Sequence, residues 1–137
     1  MAKDLFHNAV RHALEKDGWT VTDDPLSFKI GGINFYVDLA AEKMIVATRE
    51  SERIAVEVKS FIKQSPLTAF HEALGQYENY LIALESYNPD IILYLAVPTD
   101  VYNVFFQKPF IQLVLERKQI KLILYNPTTE TIELWKK

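Results

Sequence analysis

The chain of 137 residues contains no cysteine. That excludes disulfides, thiolate metal sites and cysteine nucleophiles. It also fits a reducing compartment, so a cytoplasmic protein is expected. No apolar run approaches the roughly 20 residues of a membrane span. The opening stretch MAKDLFHNAVRHALEKDGW has charged and polar residues throughout and lacks the continuous apolar segment of a signal peptide. It reads as an amphipathic helix, with no membrane partner expected. Excess positive charge is missing too: the formal net charge is −3. Tight, sequence-blind nucleic-acid binding needs clustered Lys and Arg against phosphates. That class is disfavoured, while a local patch, a transient contact with DNA or affinity supplied by a partner stays open. The densest basic cluster, ERKQIK at 116–121, is short and reads as a solvated helix end. There is no phosphate-cradling glycine loop and no serine nucleophile elbow. His7 and His12 stand about 140° apart on a helix, so they are not a paired metal site. His71 is alone. All three read as solvated or core-satisfied.

What is present suits one domain spanning 1–137, with 49% hydrophobic residues to build a core. Leu5, Phe6, Ala9, Val10, Ala13 and Leu14 recur at helical spacing and predict a helix from about Lys3 to Lys16, capped by Gly18. The period then changes to two. LSFKI and INFYVDLA predict two strands joined at Gly31-Gly32, with Ile33, Phe35, Val37 and Leu39 on one side. MIVAT, Met44 to Thr48, predicts a third strand, RESER a charged turn, and IAVEVKSF a fourth strand. Ser65 and Pro66 open the longest helix, with Phe70, Leu74, Tyr77, Leu81 and Leu84 as its buried stripe. DIILYLAV predicts a central strand. TDVYNVFF and PFIQLVLERK predict two short helices, and IKLILYN and TIELWK two closing strands about the turn NPTTE. This order predicts an α/β domain with a mixed sheet flanked by helices.

The chemistry centres on RIAVEVKSF, Arg53 to Phe61. Glu57 and Lys59 share one face of that strand, because side chains alternate. Asp38 sits near the end of an earlier strand. If the two strands are neighbours, three polar groups converge. Two carboxylates can hold Mg²⁺, with the Val58 carbonyl as a third ligand. Lys59 could then orient a water or stabilise charge on a phosphate. Spacing alone leaves a second reading open, in which these are solvated residues on a wet face. The helix that follows should cover one face of the sheet, and that favours the first reading.

Asp38 followed by Glu57-Val58-Lys59 resembles the signature of the PD-(D/E)XK nuclease superfamily. Val37 stands where the motif has proline. The phrases DGWTVTDDP, YVDLAAEK, IAVEVKSF, EALGQYENYL and LYLAVP resemble, over essentially the whole chain, the XisH family of fdxN element excision controlling factor proteins. The resemblance implies a restriction-endonuclease-like fold with Asp38, Glu57 and Lys59 as catalytic positions. Asp38, Glu57 and Val58 would be ligands for Mg²⁺ or Mn²⁺. It suggests two further positions: Glu15 on the first helix, which also reads as a solvated residue near the helix end, and Gln76, which also reads as an ordinary boundary glutamine. The implied partners are DNA, an XisI-type companion and a site-specific recombinase system; a homodimer is compatible. Two functions follow: a metal-dependent endonuclease, or a regulator that uses the fold without cutting, with VYNVFFQKPF as a candidate interface. A toxin–antitoxin-like pair would join the two.

Overall fold

The computed structural model describes residues 4–45, 50–62 and 65–137. The first helix, α1, spans His7–Lys16 and buries Ala9, Val10, Ala13 and Leu14. The expected start at Lys3 lies outside the described residues. Leu5 is exposed rather than part of the stripe. Asp4 instead accepts from the Phe6 N–H at 2.9 Å and fixes the entry to the helix. Gly18 closes it with φ +91°, a conformation that favours glycine.

Six strands form the main sheet in the order β1-β4-β5-β6-β7-β8. They are β1 (Thr20–Asp23), β4 (Leu39–Ile45), β5 (Glu50–Val58), β6 (Ile92–Pro98), β7 (Leu122–Asn126) and β8 (Thr131–Lys136). β5, β6 and β7 run parallel, and the outer pairings are antiparallel. β6 lies in the interior of the sheet, as its continuous apolar run predicts. β2 (Leu26–Ile30) and β3 (Ile33–Val37) form a separate hairpin. Gly31 and Gly32 at its turn have φ +55° and +84°, the positive pair that a two-residue hairpin turn requires.

Helices cover both faces. α2 (Pro66–Tyr87) packs Phe70, Ala73, Tyr77 and Leu84 against Ala55, Leu93, Leu95 and Leu122. The 3-10 turn Phe105–Gln107 and α4 (Pro109–Lys118) join this layer through Phe105, Phe106 and Ile111, after the short α3 (Thr99–Val104). On the other face α1 packs Val10 and Leu14 against Leu39, Ile54, Val56 and Ile123. Each large side chain buried in this way stabilises the fold by about 1.5–3 kcal/mol. Ser65 caps α2 by accepting from the Thr68 N–H at 3.2 Å.

The structure departs from the sequence reading along Ile33 to Arg53. INFYVDLA is two strands, broken at Asp38, so Val37 and Leu39 enter opposite cores. Met44 and Ile45 end β4, and the rest of MIVAT lies outside the described residues. Glu50 to Arg53 of RESER belong to β5 rather than a turn. Opposite charges face one another there, Glu42 against Arg53 and Lys43 against Glu52, which suits a strand pair. β1 carries no clear alternation and is held by pairing with β4.

Candidate functional site

The bend at Asp38 arises from hydrogen bonding. Its Oδ2 accepts from the Val58 N–H at 2.8 Å, and its own N–H donates to Glu57 Oε1 at 3.3 Å. Each residue thus holds the other's strand. Glu57 projects from β5 on the same face as Ala55, beneath α2, and its side chain is 7% exposed. Burial, then the Asp38 charge, push its carboxyl up to about 8, against the pull of Lys59. Asp38 is also raised by burial, opposed first by the Val58 hydrogen bond and then by the His7 charge. Lys59 Nζ lies 3.8 Å from Glu57 Oε2 and 3.9 Å from Glu72 Oε1. A residue's N–H and C=O leave the same edge of a strand. The Val58 carbonyl therefore points toward the Asp38 side, as its N–H does.

α2 supplies a polar stripe at helical spacing. Glu72 reaches Lys59, Gln76 follows one turn on, and Tyr80 follows the next. Gln76 Oε1 is buried with no hydrogen-bond partner among the described residues. The Tyr80 hydroxyl is raised by burial and then by the charges of Glu57 and Asp38. Glu72 and Tyr80 escaped the sequence reading. Their spacing of four on either side of Gln76 was the available signal, hidden because Tyr77 and Leu74 dominate the apolar stripe.

The structure brings together Asp38, Glu57, Val58 and Lys59 and sets the α2 stripe that carries Gln76 over them. It does not bring Glu15 there. That side chain is 47% exposed in the last turn of α1, 3.9 Å from Arg11. His7 is the α1 residue whose charge reaches Asp38. His12 pairs at the surface with Glu130, and His71 is exposed. Beyond Lys59 the chain is held at two points. Asp4 Oδ2 accepts from the Ser60 N–H at 3.0 Å, and the Tyr125 hydroxyl donates to the Lys59 carbonyl at 3.1 Å. A recess of about 170 Å³ opens here, walled by Asp4, Lys59 and Glu72 with Leu5 and Ile62 at its rim.

The donor set suits a small hard cation. Two carboxylates and a strand carbonyl are oxygen ligands, and Mg²⁺ is usually bound by one or two carboxylates while keeping several waters. The orphaned Gln76 Oε1 supplies a further buried acceptor nearby. Among the described residues no three His, Cys, Asp or Glu side chains form a ready cage. The cation would therefore rest on Asp38, Glu57, the Val58 carbonyl and water. No described helix is long and apolar enough to cross a membrane.

A model of the XisH protein family matches residues 1–133. The crystal structure of an XisH family protein from Nostoc punctiforme is 44% identical, with a TM-score of 0.89 over 98% of this chain and 100% of that one. That of an fdxN element excision controlling factor protein from Anabaena variabilis is 46% identical, also with a TM-score of 0.89 over 98% of this chain and 100% of that one. No curated protein matches the chain. With the family pattern running through nearly every element described above, and two crystal structures sharing its whole fold, the chain belongs to the XisH family.

Proposed function

We propose that this protein is an excision controlling factor for a DNA element, built on a PD-(D/E)XK-like domain that hydrolyses phosphodiesters. The observation that carries the reading is the mutual clasp of the half-buried Asp38 and the buried Glu57, with Lys59 beside them. A carboxylate pair taken even partly out of water is costly unless a proton or a cation neutralises it. Asp38, Glu57 and the Val58 carbonyl would hold Mg²⁺ or Mn²⁺. When bound, such a cation lowers the pKa of a water and neutralises charge on a phosphate. Lys59 places its ammonium where a phosphate would enter from the recess. Gln76 and Tyr80, on the same stripe of α2 as Glu72, would limit the access of water to the pair. DNA, an XisI-type companion and a site-specific recombinase are the partners of this reading, in the cytoplasm.

A second reading is a non-cutting regulator on the same fold. The acidic wall of the recess favours it: Asp4 and Glu72 flank Lys59 and repel a phosphate backbone. One assay separates the two. Linear, supercoiled and branched DNAs are incubated in Mn²⁺ with the chain alone and with its companion, each beside Asp38→Ala and Asp38→Asn. Metal-dependent nicking that disappears in both variants is expected. Asn keeps an acceptor for the Val58 N–H, so its loss of nicking reports chemistry rather than folding. Companion binding with no cleavage in any combination would leave the regulatory reading.

A further inference from the structure

The α1 face of the sheet carries a second recess, at the C-terminal end of α1. It holds about 370 Å³, within the roughly 300–1,000 Å³ of small-molecule sites. Trp19 and Trp135 wall it, and they are the two tryptophans of the chain. Their ring centres lie 5.5 Å apart, and Tyr94 makes a T-shaped contact with Trp135 at 5.1 Å. Trp135 Nε1 donates to Asp17 Oδ2 at 3.3 Å. Lys43 is pinned on this wall. Its Nζ donates to the Asp17 carbonyl at 3.0 Å and stands 5.8 Å from the Trp19 ring centre. An ammonium has three donors, so two are left over. Glu52 faces Lys43 across the β4–β5 pair, yet its carboxylate makes no ion pair or hydrogen bond among the described residues. Met44, 60% exposed, stands at the rim.

These features select a ligand. The side chains of Asp17 and Glu52 balance those of Lys43 and Lys137, so net charge favours neither a cation nor an anion. Indole and thioether surfaces take a flat ring. Spare ammonium donors beside a spare carboxylate match a ring edge with a carbonyl next to N–H groups. Guanine has that edge: its O6 accepts, and its N1–H and 2-amino group donate. We propose that this recess binds a guanine base, with Trp135 against the ring, Lys43 on O6 and Glu52 on the two N–H groups. Two sources carry such a base, a free nucleoside and an unpaired position in a nucleic acid. Glu52 and Glu57 are five residues apart on β5, hence on opposite faces of the sheet and about 17 Å apart along the strand. The recess is a separate site, and its reading does not rest on the cation reading above.

The test is fluorescence titration of the full chain, because all of its tryptophan signal arises at this recess. The probes are guanosine, inosine, adenosine and thymidine, and a single-stranded oligonucleotide with one guanine among thymines beside its duplex. Saturable quenching by guanosine, by the single strand or by both is expected, and the pattern names the source. Inosine lacks the 2-amino group and is expected to bind about 10-fold more weakly than guanosine. Glu52→Gln should weaken guanosine by about 10–100-fold, erase the gap to inosine and melt near wild type. Lys43→Met keeps a stem over Trp19 and should weaken guanosine and inosine alike. No quenching by any guanine probe overturns the inference. So does equal quenching by all four nucleosides that survives Glu52→Gln, which would be general stacking on an indole. Quenching by an arginine amide and not by guanosine would make the recess a cation site and overturn it as well.

Discussion

At the scale of single residues, Glu57 sets the behaviour of the site. Its carboxyl is pushed up to about 8 from an ordinary value of 4.5. The folded chain therefore holds more protons than the unfolded chain across that window, so stability is present below it and is lost as pH rises through it. Asp38 is raised too and adds in the same direction. Glu57→Gln removes the ionisation while keeping the shape. It is expected to match wild type in urea melts near pH 5 and to exceed it near pH 9 by roughly 1–3 kcal/mol. Equal pH dependence in the two proteins would show that Glu57 ionises freely. Added Mn²⁺ should recover the wild-type loss at high pH if the carboxylates hold it. The strand period of two puts Glu57 and Lys59 on one face but leaves them open to a wet-face reading, and it is the resemblance to a nuclease signature that joins Asp38 to them. His7 and Tyr80 are not legible in the sequence, since nothing there says which histidine or tyrosine of an amphipathic helix will feel the charge of a carboxylate folded in from elsewhere.

Elements explain where the sequence reading held and where it slipped. α1, α2, β6 and the closing strands follow from apolar period and caps. The stretch Ile33 to Arg53 slipped because three long-range contacts override its local pattern: the Asp38 bend on Val58, β1 on β4, and the facing charges of β4 and β5. α2 is bolted to the sheet by one hydroxyl. Tyr77 donates to the Leu93 carbonyl at 3.3 Å and accepts from the Lys121 N–H at 3.1 Å, so it ties β6 and the approach to β7 to the helix. Tyr77→Phe leaves that amide without its acceptor. A loss of about 1–3 kcal/mol is expected in urea titration, with the m-value unchanged. A fall in the m-value would mean that α2 detaches on its own.

For the whole molecule, charge decides how DNA is met. The net charge is −3, and Asp4 and Glu72 wall the recess beside Lys59, so few counterions are there to be released at that entrance. The chain's DNA affinity alone should be weak, with a log K against log salt slope no steeper than about −3, and the companion should steepen it. A steep slope for the chain alone would point to a basic surface formed on binding. The clasp between β4 and β5 has one more consequence, which concerns synthesis. Asp38, just before β4, and Glu57, on β5, meet across a local antiparallel pair that leaves the ribosome early, whereas α2 and β6, which flank Glu57, come later. Until that cover is in place, both carboxyls face water, where carboxylates are ionised at neutral pH. Closing the lid then draws a proton, or a divalent ion, from the surrounding buffer. Covering the carboxylates and neutralising them are thus thermodynamically linked.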